Sequence, residues 1–477
     1  MAHFDLAIIG TGSGNSLVTP DFDGKRVAII ESGTFGGTCL NVGCIPTKMY
    51  VYAADVANTV AHAARYGIDA TLNGVRWPDL RDRVFGRIDP ISEGGRDWRV
   101  NGPNTTAFLG RATFIGPRRL RIDAGTGAAD EITADQIVIA AGSHPTVPGT
   151  VSESGVPFHT SETVMRLDAL PKRLLVLGSG FIAAEFAHIF SALGSQVTVV
   201  ARGNTLLRHL DADISARFTA IAQEQWDVRL NTTLTKVNGS QGSGNGDESE
   251  VRLDFADGSH ATGDILLVAT GRAPNTVGLG LEVAGIATRE DGGVKVDAHG
   301  RTNVEGVWAL GDVSSAHQLK HVANHEARRV KHNLLQDWDD VEALMPSDHR
   351  YVPSAVFTDP QIASVGLTEN QARAKGFNIR TKVQDFGDVA YGWAMEDTTG
   401  IAKIVVDDDS GLILGAHIMG HQASSLIQPL IQAMSFDLHA QDVARGQYWI
   451  HPALPEVIEN ALLALCGEPP WPPSRRH

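Results

Sequence analysis

The chain carries a strand, a glycine turn and a helix-like stretch twice, and this repetition limits its possible folds more than any other feature. DLAIIGTGSGN is an apolar strand opening into a glycine turn, and VAIIE, ending at Glu31, reads as the next strand. Gly10 and Gly12 fill the first two places of G-x-G-x-x-G, Gly14 is additional, and Asn15 stands where the third glycine belongs. Such a turn alone is a weak signal, because glycine turns between strand and helix are common. Glu31, 21 residues after Gly10, supplies the acidic group expected on a ribose hydroxyl. Glycines let the backbone approach a pyrophosphate, and the N-terminus of a following helix favours its charge.

The second copy is RLLVLGSGFIAAEFAHIFSALGSQVTVVARGNTLLR, with Gly178, Gly180 and Ala183 fitting G-x-G-x-x-A. Its second strand ends at Ala201 without an acid, and Arg202 and Arg208 follow. Losing the acid and gaining arginines is what a 2′-phosphate demands, which predicts NADP over NAD; two ordinary surface arginines are the other reading. Two nucleotide folds in one chain imply two nucleotides.

The 477 residues include three cysteines, and two of them, Cys39 and Cys44, lie in GGTCLNVGCIPTK. Near-neighbour cysteines in a chain without secretory features point to redox or metal chemistry rather than a structural staple. On an ideal helix, residues i and i+5 lie about 140° apart around the axis. A bond between them needs a distorted first turn, which Gly43 and Pro46 permit. The pair reads as a working dithiol.

The length suits two or three domains, and 43% apolar residues is ordinary for a soluble protein. A net charge of −15 argues against nucleic acid and anionic membrane surfaces as partners. MAHFDLAIIG lacks the basic start and long apolar core of a signal peptide, and no apolar run approaches the roughly 20 residues that span a bilayer. A cytoplasmic setting, where thiols stay reduced unless catalysis oxidises them, is the expectation. NGSQGSGNGDESE, between 237 and 250, reads as a mobile hairpin tip, and DDDS at 407–410 as a solvated turn. From about 350 the pattern changes to strands (RYVPSAVF, IAKIVVD, LILGAHIM) followed by helical stretches, which predicts a separate α+β domain.

The order GxGxG, CLNVGC, GxGxxA, ATGR, ALGDV and HPALPE resembles the family of FAD-dependent pyridine nucleotide–disulfide oxidoreductases, from about residue 4 to 465. The resemblance implies an α/β chain with two Rossmann-like dinucleotide-binding domains and a C-terminal α+β dimerisation domain. The expected division is an FAD-binding domain over 1–148 and 272–345, an NADPH-binding domain over 149–271, and an interface domain over 346–466. The tail 467–477, rich in proline, is expected to be unstructured.

The family's electron route runs from NADPH to the flavin and on to the Cys39–Cys44 disulfide. By resemblance Cys44 is the flavin-proximal thiolate, and Cys39 is the exposed interchange thiol that attacks a low-molecular-weight disulfide. His451 of HPALPE, with Glu456 holding its tautomer, suits the proton transfers, and in the family this histidine reaches the other subunit's dithiol in a homodimer. Pro455 stands where relatives often carry a small polar residue. Lys48 and Glu185 match a pair beside flavin N5, although an ordinary interdomain salt bridge is the other reading. Asp312 matches the group that bonds the ribityl chain, and a helix beginning near Leu319 should aim its N-terminus at the flavin. Gly37, Thr38, Gly142 and Ala323 complete the implied FAD contacts, and Gly271 those of NADPH. Phe181 sits where relatives often place a tyrosine lid.

His321 and His325 form H-x-x-x-H without a clear third ligand, so no metal is expected. Cys466 is a leftover thiol with no adjacent cysteine for a relay. The stretch NSLVTPDFDGKR is short, broken by Pro20, and has no basic residue before Lys25, so an anionic peptide disulfide such as that of glutathione is not the expected substrate. Dihydrolipoamide dehydrogenase is the nearest rival activity, and a subunit acting chiefly in assembly or a flavin scaffold without turnover are more distant ones.

Overall fold

In the computed structural model, which describes residues 1–125, 129–240 and 250–466, the first glycine signature sits at the C-terminal end of strand Ala2–Ile9. Five parallel strands lie in the order Thr105–Leu109, Val27–Glu31, Ala2–Ile9, Asp130–Ile139 and Val307–Ala309. An antiparallel hairpin, Arg111–Gly116 and Arg119–Asp123, extends the sheet from the first half of Asp130–Ile139. Ile8, Ile29 and Val138 are fully buried. Burial on both faces explains why these strands read as unbroken apolar runs.

The second glycine signature opens a separate parallel sheet of Asp227–Arg229, Gln196–Val200, Arg173–Leu177 and Ile265–Val268. Helix Phe181–Ala192 follows its glycine turn, and an antiparallel sheet of Leu234–Ser240, Glu250–Phe255 and His260–Gly263 stands beside it. The hairpin tip expected within 237–250 falls mainly on 241–249, which lie outside the described residues, as does the tail 467–477. The short strands Ser143–Pro145 and Arg272–Pro274 pair where the chain leaves the first sheet and returns to it.

The change of pattern near 350 corresponds to an antiparallel five-stranded sheet. Its order is Ser354–Val356, Ile362–Gly366, Ile413–Met419, Ile401–Asp407, Ile379–Asp385. Helices Gln428–Ser435 and Glu456–Cys466 share one apolar cluster with it, through Ile404, Ala416, Leu430 and Leu462. Lys403 of this sheet, with its side chain 3% exposed, reaches Asp211 at 2.9 Å, Asp213 at 2.6 Å and Glu369 at 2.8 Å. Asp211 also caps helix Ala212–Gln225, so one buried cation ties the second nucleotide fold to the C-terminal sheet. Among the described residues no helix is long and apolar enough to cross a membrane.

One local expectation needs correcting. The first glycine turn is followed not by the short helix expected but by a five-residue 3₁₀ turn, Ser13–Leu17, and a second, Pro20–Phe22. Val18 and Thr19 are β-branched and Pro20 has no N–H to donate, so the helix cannot propagate. The pyrophosphate argument from a helix N-terminus therefore weakens here, and charge near this turn must come from elsewhere.

Candidate active site

At the first turn, Gly10 has φ +102°, and a Cβ there would run into the carbonyl oxygen of Ala140. A Cβ on Gly14 would lie 2.8 Å from Ala140 Cβ and 3.0 Å from Ile8 Cγ2. Gly14 thus does the close packing that the third glycine of the motif performs elsewhere, which frees Asn15. Arg99, almost fully buried, donates to Asn15 Oδ1 at 2.7 Å and to its carbonyl at 2.8 Å. Hydrogen bonds from a charged donor contribute about 1.5–3 kcal/mol each when the alternative is an unpaired buried cation. Glu31 accepts from Thr11 N at 2.9 Å, Thr11 Oγ1 at 2.6 Å and Gly33 N at 2.8 Å, which fixes its carboxylate beside the turn.

Asp312 accepts from Ser143 Oγ at 2.7 Å, and Arg272 Nε donates to the same hydroxyl at 2.9 Å. Gly142 precedes that serine, and Ala323 packs 3.4 Å from where a Cβ on Gly311 would lie. Gly37, followed by Thr38, packs so closely on the first turn that its Cβ would lie 2.6 Å from Gly12 Cα. A side-chain-free cradle, an oriented carboxylate at the strand end and a second carboxylate on the loop of Asp312 fit the phosphates, ribose and ribityl chain of FAD.

At the second turn a Cβ on Gly178 would strike the Ala269 carbonyl, and Ala183 is 1% exposed. Gly180 caps helix Phe181–Ala192, and Phe181 is half exposed at its start. Leu207 N donates to Ser179 O at 2.8 Å, folding the Arg202–Arg208 segment onto the turn. Both arginines are exposed and form no ion pair among the described residues, so their charge is available to a 2′-phosphate. Gly271 lies at the exit of this fold, where its carbonyl accepts from Thr146 N at 2.9 Å.

The dithiol sits on two helices rather than one distorted turn. Cys39 belongs to Gly37–Asn41, which ends at Val42, and Cys44 opens Cys44–Ala61. Gly43 fits between them because its position presses on Thr38: an added Cβ would lie 2.9 Å from the Thr38 carbonyl oxygen. Cys44 is exposed and Cys39 only partly so, the reverse of the expected exposure, and a hydrogen bond links the two sulfurs. That bond from Cys39 pulls the Cys44 pKa down to about 7 against the effect of burial, with help from the Lys48 cation. The same bond and burial push Cys39 up. The pair therefore loses its first proton as a thiolate on Cys44.

Lys48 Nζ lies 2.6 Å from Glu185 Oε2. The other oxygen of Glu185, which is 6% exposed, accepts from Phe357 N at 3.0 Å, and Lys48 lies 4.3 Å over the Phe357 ring. This junction joins helix Cys44–Ala61, helix Phe181–Ala192 and the end of strand Ser354–Val356 one turn beyond Cys44, which is more than a surface salt bridge. A cavity of about 520 Å³ opens beside it, lined by Cys44, Ile45, Lys48, Met49, Tyr52 and Arg83.

His451 Nδ1 pairs with Glu456 Oε1 at 2.7 Å, and Glu456 Oε2 accepts from Ala453 N at 3.1 Å. The histidine bond holds the Glu456 carboxyl below its ordinary range. Pro455 stands immediately before the helix that Glu456 opens. His451 itself is 71% exposed and, among the described residues, bonds to neither cysteine of its own chain. His321 bonds the Pro353 carbonyl at 2.9 Å, while the buried Nε2 of His325 has no protein partner. Cys466 is buried at the end of its helix, and burial pushes its thiol up.

Sequence reasoning missed Arg99, Ser143 and Arg272, whose partners lie 84 to 169 residues away. It also missed the wall opposite NSLVTPDFDGKR. A cavity of about 270 Å³ there is lined by Ser16, Thr19, Asn324, Ala327, Arg328 and Lys331. Helix Lys320–Asn333 thus brings cations to a stretch that lacks its own, although Lys331 is paired with Asp21 at 2.9 Å.

The family model for pyridine nucleotide-disulphide oxidoreductases matches residues 4–327, and the model for the dimerisation domain of that family matches 352–462. A mycothione reductase of Mycobacterium tuberculosis is 60% identical over 472 residues, covering 98% of this chain and 100% of the relative. A dihydrolipoyl dehydrogenase of Corynebacterium glutamicum is 33% identical, covering 98% of each chain. A glutathione reductase of Burkholderia cepacia is 32% identical, covering 95% of this chain and 97% of the relative. Among solved structures, the HOCl-induced flavoprotein disulfide reductase RclA of Escherichia coli, as a Cu(II) complex, superposes with a TM-score of 0.83 at 28% identity, covering 97% of this chain and 99% of that one. The paired thiols, the two glycine cradles and these likenesses together place the chain in the pyridine nucleotide-disulphide oxidoreductase family, as an NADPH-dependent disulfide reductase that uses FAD.

Proposed function

We propose that the disulfide reduced is mycothione, which yields two molecules of mycothiol. The likeness of 60% across nearly the whole chain carries this reading. It is supported by a cavity whose Ser16 and Thr19 hydroxyls and Asn324 amide suit the hydroxyls of a sugar-bearing thiol. In this reading residues 1–148 and 272–345 hold FAD, 149–271 hold NADPH through Arg202 and Arg208, and 346–466 pair two chains in the cytoplasm.

FAD, when bound, relays two electrons from the nicotinamide to sulfur. The chain's own groups do the rest. Glu185 fixes Lys48, and Lys48 keeps Cys44 as a thiolate. His451 of the partner subunit takes the Cys39 proton, the resulting thiolate attacks one sulfur of the substrate, and a mixed disulfide forms as the first mycothiol leaves. His451 of the partner subunit, held by its Glu456, protonates that leaving sulfur. The Cys44 thiolate then attacks Cys39 Sγ, expels the second mycothiol and closes the Cys39–Cys44 disulfide, so two electrons have passed to the substrate.

NADPH oxidation measured with mycothione, glutathione disulfide and lipoamide side by side tests the assignment. Mycothione is expected to turn over at least about tenfold more efficiently than the others, since each 1.4 kcal/mol of differential binding is a factor of ten. Selective turnover of either alternative, or a preference for NADH, would overturn it.

A further inference from the structure

Glu326 lies on helix Lys320–Asn333 and is 7% exposed, and the reaction as described gives it no task. Burying a carboxylate is costly unless its oxygens find partners. Both oxygens are taken. Oε2 accepts from Gly311 N at 2.7 Å, and Oε1 pairs with His349 Nε2 at 2.9 Å. A backbone N–H could be satisfied by any carbonyl, so the use of a buried acid calls for a reason in what it holds.

What it holds is the 3₁₀ turn Gly311–Val313. Gly311 is buried with φ +74°, and its carbonyl accepts from Ser314 N at 2.9 Å and Ser315 N at 2.8 Å. With Glu326 on its N–H, both main-chain polar groups of Gly311 are fixed. A Cβ on Gly311 would lie 3.4 Å from that of Ala323, so the helix also packs on this turn one turn before Glu326. The next residue is Asp312, whose carboxylate is set 2.7 Å from Ser143 Oγ. His349 comes from elsewhere, the stretch between this helix and strand Ser354–Val356 of the C-terminal sheet. Its side chain is 40% exposed, and its ring stands 5.6 Å from that of His317, on the loop that follows Val313. The buried carboxylate is thus gripped between the turn that carries Asp312 and the segment that enters the C-terminal sheet.

We infer that Glu326 is a positioning residue for FAD, clamping the Gly311–Val313 turn so that Asp312 presents its carboxylate to the ribityl chain, with His349 holding the clamp from the C-terminal side. The inference rests on Asp312 contacting the ribityl chain, as read above. Its consequence is that flavin retention depends on a segment outside both stretches of the FAD-binding fold.

The test is the rate at which FAD leaves the holoenzyme on dilution, read as the rise of free-flavin fluorescence. In Glu326→Ala the buried Gly311 N–H loses its acceptor, and release should quicken at least about tenfold. Glu326→Gln keeps an oxygen for that N–H and should stay within about threefold of wild type. His349→Ala should quicken release about two- to fivefold and, as a change at a partly exposed side chain, stands in if Glu326→Ala does not fold. If Glu326 works through Asp312, the two changes overlap. Glu326→Ala made in an Asp312→Asn protein should then add much less than it does alone, whereas a merely structural loss would add in full. Wild-type release in either alanine variant, no rescue by Glu326→Gln, or full additivity with Asp312→Asn overturns the inference. Wild-type release in Asp312→Asn would overturn the ribityl reading itself, and the role of Glu326 with it.

Discussion

A Cys39→Ser protein is expected to lose disulfide turnover by about 10³-fold or more, because the nucleophile that forms the mixed disulfide is gone. Reduction of its flavin by NADPH should survive. Serine still offers a hydroxyl to Cys44 in place of the Cys39 bond, and the Lys48 cation, held by Glu185, is untouched. Stopped-flow absorbance of the flavin and steady-state NADPH oxidation with mycothione separate the two half-reactions. Loss of both together would contradict the division of roles between the two sulfurs.

The second large effect concerns His451. His451→Ala should slow turnover about 10²- to 10⁴-fold, the range for removal of a general acid–base group. Glu456→Gln should cost less, since the imidazole remains and only its orientation and charge partner change. The placement of His451, exposed and bonded to Glu456 rather than to its own cysteines, makes a sharper prediction for mixed dimers. Subunits carrying Cys39→Ser and subunits carrying His451→Ala, each nearly inactive, should regain activity when refolded together, because one of the two sites in a hybrid then has both groups intact. No recovery in verified hybrids would mean that each chain completes its own site.

Much of this architecture was legible because it is local. The glycine turns, the acid that ends VAIIE, and the arginines after VTVV each lie within a few residues of the strand that positions them. The cysteine pair was legible as a dithiol, but its geometry was not. Helical periodicity suggests a distorted single turn, whereas the chain stops one helix at Val42 and starts another at Cys44. Pro20 was visible as a breaker, yet its consequence, a glycine turn without a helix and with Arg99 and Lys320 supplying charge, depends on packing across 84 and 307 residues. The same distance hid Phe357 as the second partner of Glu185 and Arg328 as a lining of the cavity beside Ser16 and Thr19. Asn15 looked like a defect in a motif; it is the acceptor for a buried arginine, and Gly14 takes over the packing.

The most direct test of the account is anaerobic reduction of the purified protein by one equivalent of NADPH, followed by thiol alkylation and peptide mapping. New label should appear on Cys39 and Cys44 and not on buried Cys466, in step with NADPH consumed. Consumption of NADPH with no new label on either Cys39 or Cys44 would contradict it.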